Sequence, residues 1–348
     1  MTHIQCIDPT TDPLWPTLLA RHETRVFHSP SWIQVLNDTY DFTVRANLLL
    51  DDSGAPQAGL TYCEIEDMRG KRIAVMPFSD YCDPLVRTDA EWQALVAPLL
   101  AQNCPVTVRC LQSDVPGHDG RFKQYYQAKW HGLDLRPDED TLWSQLNSAA
   151  RRAVRKAEKS GVTVRLAQDI ADLRAFFNMH LHIRKYRYQL LAQPYRFFEQ
   201  IWQKFVEPGH GTILLAEHDN TIIGGIFFLE WQDGLYYKFN ASLTDLRDVR
   251  PNDLMMWEGI KYGRSRRLAH MDFGLSDWDQ EGLIRYKRKF ASDERAIAFL
   301  RHTPDLPPDP RAQQIGGLLP KLTDLFTDAS VPDAVTENAG DLLYRFFV

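Results

Sequence analysis

One pattern limits this chain more than any other: the strand and helix signals of its first half return, in the same order, in its second. Asn47–Leu50, Leu60–Ile65 and Arg72–Met76 read as strands, separated by turn signals at Asp52-Ser53-Gly54 and Met68-Arg69-Gly70. Asp89 then caps a helix from Trp92 to Leu100, and Val106–Leu111 makes another strand. In the second half, Thr212–Ala216, Ile222–Leu229 and Tyr236–Ala241 are strands, with turns at His218-Asp219-Asn220 and Asp233-Gly234. Asp253 caps a helix from Leu254 to Tyr262, and His270–Leu275 is the last strand. Three landmarks keep one offset: 234 − 70, 253 − 89 and 275 − 111 all equal 164. A β-β-β-α-β order held at a constant offset points to duplication of one sheet-and-helix unit.

Length agrees, because 348 residues are long for a single core. Outside the repeats, Ser29-Pro30-Ser31-Trp32 opens a helix, with Trp32, Val35 and Leu36 on one face. Between the repeats, Arg151, Arg152, Arg155, Lys156 and Lys159 recur at helical spacing beside Ala149, Ala150, Ala153, Val154 and Ala157. That basic face is either a solvated linker surface or a place that meets phosphate. Further helices are expected over Leu173–Tyr188 and Tyr195–Phe205. The tail opens on Pro304, Pro307, Pro308 and Pro310, and its short helices, Leu318–Phe326 and Asp341–Phe347, are expected to pack back on the body.

A net charge of −6 argues against non-specific coating of DNA. The five cysteines include no C-x-x-C pair, which suggests neither a zinc site nor a disulfide framework. No signal peptide is expected, because the N-terminus lacks a basic region followed by an apolar run, and the longest apolar run, Ile222–Leu229, is far below the ~20 residues of a membrane span. A cytoplasmic location is the expectation.

The richest stretch chemically is Asp272–Phe290. It joins a strand end at Asp272-Phe273-Gly274 to a strand at Arg295–Leu300. Between them stand Asp277, Asp279, Glu281 and Trp278, then Arg285, Lys287, Arg288 and Lys289. Charged groups beyond a strand's carboxyl end are where open α/β sheets place ligands, although a solvated loop carries similar residues. A second place is the connection Ser242–Asn252. It leads into a helix N-terminus, which favours anions, and Arg247 and Arg250 would add charge to a phosphate there. P-loop, dinucleotide-binding, hydrolase-elbow and zincin motifs are absent.

Five pieces together carry a resemblance. They are Ser148–Val162; His182–Tyr188 with Gln193-Pro194 and Phe197-Phe198; Tyr236–Ser242 with Pro251 and Leu254–Trp257; Asp272-Phe273-Gly274; and Gly282–Phe290. Met76–Tyr81 supplies a matching proline-bearing turn in the first half. In order and spacing the chain resembles the Fem-type branch of the GNAT acyltransferases, including acetyltransferase-like proteins of cellulose and exopolysaccharide operons. The resemblance spans roughly residues 28 to 300. The GNAT Gly-x-Gly/Ala pyrophosphate loop and the coiled-coil arm of staphylococcal-type enzymes have no counterpart, and Ala291 stands where relatives often have glycine.

The resemblance implies an α/β (α+β) fold of two tandem GNAT-like domains, each a mixed, mostly antiparallel sheet flanked by helices. The boundaries expected are 1–147, 148–302 with the active site, and a C-terminal segment 303–348. It implies transfer of an acyl or aminoacyl group to an amine or hydroxyl of a cell-envelope or exopolysaccharide precursor, without metal or tightly bound cofactor. Acyl-CoA is the expected co-substrate and aminoacyl-tRNA the alternative. The acceptor is a small molecule, a nucleotide sugar or a lipid-linked precursor.

Such chemistry needs a donor clamp, a proton acceptor and an oxyanion stabiliser. By resemblance, Lys287 stabilises the oxyanion or a substrate phosphate. Tyr236 and Tyr237 alternate along one strand, so one is expected to face the core and the other the cleft, with Tyr236 the catalytic candidate. Asp272 orients or deprotonates the nucleophile, or instead pairs with Lys238 or Lys287. Arg247, Arg250, Asn252, Lys238 and Ser242 serve the donor, and Asp80, Tyr81, Arg184, Arg187 and Tyr286 the acceptor. Two competing readings remain: an aminoacyl-tRNA-dependent ligase on a peptide or peptidoglycan precursor, and a non-catalytic binding protein with degenerate domains.

Overall fold

The computed structural model describes residues 3–305, 307 and 310–348, so Pro308 of the proline-rich linker lies outside the described residues. Twelve strands form among them. The first six are β1 (His3–Ile7), β2 (Val44–Leu50), β3 (Pro56–Asp67), β4 (Gly70–Ala74), β5 (Val106–Cys110) and β6 (Lys123–Asp134). The others are β7 (Thr163–Leu166), β8 (Gly211–His218), β9 (Thr221–Trp231), β10 (Gly234–Ser242), β11 (His270–Asp277) and β12 (Asp293–His302). The helices of the first part are α1 (Leu14–Leu19), α2 (Pro30–Tyr40), α3 (Asp89–Leu100) and α4 (Val115–His118). Then come α5 (Glu139–Gln145), α6 (Ser148–Lys159), α7 (Ile170–His182), α8 (Tyr195–Ile201), α9 (Pro251–Ser265) and α10 (Glu281–Lys287). The tail holds α11 (Pro310–Thr327) and α12 (Asp333–Leu343).

The chain divides into two units. Unit 1 is Met1–Lys129 with Arg295–Leu319 and Arg345–Val348; unit 2 is Trp130–Glu294 with Pro320–Tyr344. This departs from boundaries at 147 and 302. The first unit ends earlier, and the tail is shared between both instead of standing apart. The duplication itself holds: β2-β3-β4-α3-β5 in unit 1 is matched by β8-β9-β10-α9-β11 in unit 2. Gly70 and Gly234 open equivalent strands, and Val106 and His270, again 164 apart (270 − 106), open the next equivalent pair.

In unit 1 the sheet runs β1-β2-β3-β4-β5-β12, antiparallel except for the short parallel pair β4–β5. Helix α2 starts as its sequence demands: the Ser29 hydroxyl accepts from the Trp32 N–H at 3.1 Å and Pro30 occupies the first turn. The α3 cap is Thr88, one residue before the expected Asp89, because Thr88 and Glu91 complete a reciprocal capping box.

In unit 2 the sheet runs β6-β11-β10-β9-β8-β7. Pairs β7–β8, β8–β9 and β9–β10 are antiparallel and β10–β11 is parallel. Helix α6 buries Ala150, Val154 and Ala157 in a core shared with Leu254, Met255 and Ile260 of α9 and Leu214, Ile226 and Phe273 of the sheet. Phe176, Phe198 and Phe239 form a cluster of edge-on rings with Phe227. Burial of each such ring stabilises the fold by about 2 kcal/mol. Helix α9 starts at Pro251, with Arg250 in the capping position at φ 60°, so Asp253 sits inside its first turn and is not the cap. Helices α7 and α8 each run on into a π-helical turn, Ile183–Arg187 and Trp202–Val206. Strand β6 has no counterpart in the sequence reading.

Candidate functional site

Strands β10 and β11 of unit 2 pair at three positions, Gly234–His270, Leu235–Met271 and Tyr236–Asp272. They share no register beyond these. On its other side, β10 slips register against β9 between Tyr237 and Phe239, leaving Lys238 as the extra residue of a bulge. A bulge bends its strand and raises the local twist. The bend comes where β10 and β11 cease to pair, so the two strands open a notch at their carboxyl ends.

Lys287 serves this stretch of β11. It lies at the end of α10 and is buried, at 2% relative exposure. Its Nζ donates to the carbonyls of Gly274 at 3.1 Å and Leu275 at 2.8 Å, both past the last β10 pair. Two successive carbonyls of a regular strand point to opposite sides. They converge here because Gly274 is in the left-handed region, at φ 66°. Asp272 braces that kink, its Oδ1 accepting from the Gly274 N–H at 2.6 Å. The carboxylate is buried. As placed, Asp272 shapes the strand that holds Lys287, a structural role beside the one expected of it at the nucleophile.

His131 of β6 completes the cluster. Its ring is buried, and Nε2 lies 3.1 Å from Oε2 of Glu294, a carboxylate that also takes both arms of Arg288, at 2.6 and 2.8 Å. Burial, and then the Lys287 charge, push the imidazole down to about 4, against the opposing pull of Glu294. His131 Nδ1 and the Ser276 hydroxyl on β11 are both buried without a hydrogen-bond partner among the described residues.

The helix-N-terminal side is tied to the end of β10 by one side-chain contact. Asn252 in the first turn of α9 donates from Nδ2 to the Ser242 hydroxyl at the end of β10, 3.1 Å away. Arg247 stands in the preceding 3₁₀ turn, where burial and the nearby Arg187 charge lower its basicity. Arg250 is exposed, and Lys238 lies 5.7 Å from the Phe239 ring centroid. On the other flank of α10, Arg285, Arg288 and Lys289 line an open hollow of about 570 Å³ with Asn147 and Ala149 at the start of α6. A strand pair splayed by a bulge, a helix N-terminus at its mouth and a buried cation on the splayed strand can hold an anionic donor and stabilise negative charge developing beside it.

Residues 144–288 match the family described as Acetyltransferase (GNAT) domain. They form a GNAT domain. The Fem-type resemblance is borne out by a lipid II:glycine glycyltransferase of Staphylococcus haemolyticus, 34% identical over 84 residues. That match covers 22% of this chain and spans only 20% of the glycyltransferase. Among solved structures, FemX superposes with a TM-score of 0.65 at 15% identity, over 91% of this chain and all of that one (100%). A tandem GNAT protein of clavulanic acid biosynthesis reaches 0.58 at 13% identity, over 89% of this chain and 100% of that one. L-PGS of Bacillus licheniformis reaches 0.56 at 12%, over 92% and 99%. These likenesses establish the fold as two tandem GNAT-like units.

Within the GNAT domain several expected site residues are already engaged. Tyr236 is buried, its ring edge-on to His270 at 6.3 Å. The Tyr286 hydroxyl, expected at the acceptor, donates to the Asn252 carbonyl at 2.9 Å and locks α10 to α9. Burial and the neighbouring Tyr237 raise its phenol well above the usual range. Lys289 strengthens the same joint through an ion pair with Asp253. Arg184 spends Nε and Nη2 on the Leu191 carbonyl, at 3.0 and 2.7 Å, and so shapes its own loop. Arg187 remains exposed beside Arg247, which joins two residues assigned separately to acceptor and donor. Asp80 and Tyr81 belong to unit 1. Asp80 is half-buried, whereas Tyr81 is fully buried against Phe27, with ring centroids 5.4 Å apart, and offers no surface to a ligand.

His131 and Ser276 were missed by the sequence reading. A histidine without a neighbouring carboxylate or cysteine in the chain gave no signal, because Glu294 reaches it from 163 residues away. Among the described residues, no three His, Cys, Asp or Glu side chains are grouped to hold a metal ion, and no helix is long and apolar enough to cross a membrane.

Proposed function

We propose that the GNAT domain transfers an acyl group to an amine or hydroxyl of a cell-envelope precursor, the acceptor being lipid-linked. The observation that carries this reading is the buried Lys287 ammonium, fixed on the Gly274 and Leu275 carbonyls where β10 has left β11. In the reaction the nucleophile attacks the donor carbonyl, and a new C–N or C–O bond forms as the carbonyl oxygen takes up negative charge. Collapse breaks the bond to the leaving group, a thiolate if the donor is acyl-CoA, while the nucleophile's proton passes to solvent or to the leaving group. A charge that needs no reorganisation stabilises the oxyanion at the moment it forms. Neutral His131 behind the ammonium adds no competing charge. Arg247 and the α9 N-terminus hold the donor's phosphates, and the Ser242–Asn252 bond keeps that turn in place.

A second reading has aminoacyl-tRNA as donor. Its support is the glycyltransferase among the relatives and the basic residues Arg285, Arg288 and Lys289 around an open hollow. Thermal-shift and transfer assays with acyl-CoA and with charged tRNA separate the two donors. Lys287→Ala is expected to lower transfer by about 10²–10³-fold with either donor while the circular dichroism spectrum is kept. Transfer within about threefold of the unmodified protein would remove Lys287 from the mechanism.

A further inference from the structure

Unit 1 has an opening of its own, and its lining is cationic. Strands β4 and β5 pair in parallel at only two positions, Ile73–Val106 and Ala74–Thr107. Past them the chain turns through Met76 and Phe78, at φ 49° and 54°. Non-glycine residues with positive φ are uncommon, and strain of this kind gathers at ligand-holding sites. Beside this turn lies a cavity of about 370 Å³, a size typical of small-ligand pockets.

Arg69, Lys71, Arg72, Arg109 and Arg301 all line it, and among the described residues no Asp or Glu side chain does. In a chain of net charge −6 that is a strong local excess of the opposite sign. Arg72 is matched by Asp67 through two contacts of 2.9 Å. Arg69 donates to the main-chain carbonyl of Phe346 at 2.6 Å and to a carboxylate oxygen of the terminal Val348 at 3.0 Å, so its charge is partly matched already. Arg301 lies 4.2 Å from the Tyr125 ring centroid. Lys71 and Arg301 have no carboxylate partner among the described residues. Burial, with Arg72 and Arg301 nearby, makes Arg69 less basic than an ordinary arginine, the expected result of crowded like charge. The remaining wall is apolar, with Val75, Met76 and Pro77 on one side and Phe347 on the other.

We propose that this cavity binds a small phosphate ester, its anionic head among Arg69, Lys71 and Arg301 and its apolar part against Met76, Pro77 and Phe347. A carboxylate brings one charge and two oxygens. A phosphate monoester brings nearly two charges and three acceptor oxygens, which suits several converging guanidinium donors better. All the lining residues belong to unit 1, so the proposal does not depend on the transfer reaction assigned to the GNAT domain.

Calorimetric titration of the full chain with octyl phosphate, octanoate and inorganic phosphate tests it. Octyl phosphate is expected to bind at least about tenfold more tightly than either of the others, since only it offers both the charge and the apolar group. Lys71→Glu with Arg301→Glu, two exposed positions, is expected to weaken it by about tenfold or more with an unchanged circular dichroism spectrum. Competition by farnesyl phosphate or by uridine monophosphate then distinguishes a lipid from a nucleotide source of the same head group. Absence of binding at millimolar octyl phosphate, equal binding of octanoate, or an affinity unmoved by the double substitution would each overturn the site.

Discussion

His131 shows how position, more than residue type, sets charge. An exposed imidazole titrates near 6.5; here burial and the Lys287 ammonium take it to about 4. His180 in the same unit is pushed to about 3, by burial and then by Arg184. Both have a folded pKa below the unfolded value, so between about pH 4 and 6.5 the unfolded chain binds protons that the folded chain refuses. Their contribution to stability is therefore complete above about pH 6.5 and declines as the pH falls toward 4. Unit 2 should take up about two protons on unfolding near pH 5, and His131→Asn should reduce this to about one. The urea midpoint of unit 2, followed by amide exchange in β10 between about pH 5 and 7, measures the difference. Parallel pH profiles for the two proteins would mean that His131 is not held neutral.

Among the elements, β11 is the one whose irregularity does the positioning, and a single glycine makes that possible. Gly274 at φ 66° brings two carbonyls onto Lys287, so a β-carbon at this position is costly for both backbone and site. Gly274→Ala is expected to cost about 1–2 kcal/mol of stability and to lower transfer more than tenfold. Gly54→Ala, at φ 82° in a unit 1 hairpin with open space around it, carries similar backbone strain and should leave transfer unchanged. Equal loss of transfer in both variants would show that strain alone, and not the carbonyl geometry, governs the result. The repeat strands were legible because apolar runs alternate with sharp turn signals. Strand β6 was not, since its first five residues, Lys123–Gln127, are all exposed and polar or aromatic, which leaves no period to detect. Lys287 was singled out only by resemblance; a lysine inside a basic run reads as solvated, and its burial follows from a kink that no local periodicity announces.

For the molecule as a whole, the duplication was legible and the partition was not, because neither unit is one continuous piece of chain. Strand β12 follows unit 2 directly in sequence and reads as its last strand, yet it pairs antiparallel with β5 from Ala298–Cys110 to His302–Val106. A fragment 1–147, cut at the boundary the sequence suggests, therefore keeps β5 but loses its neighbour on one side. The exposed edge includes Val106 and Val108, both buried in the intact protein, and it leaves a row of unpaired main-chain groups. Such a fragment is expected to aggregate or to exchange its β5 amides freely. A chain carrying residues 1–129 joined by a flexible linker to 295–319 restores the missing strand and should stay soluble with β5 protected. Residues 345–348 hold a smaller part of unit 1, through the Arg69 contacts, so their omission should lower its melting temperature without exposing an edge. A well-dispersed NMR spectrum from 1–147 alone would show that β12 is dispensable and that unit 1 is complete without the returning chain.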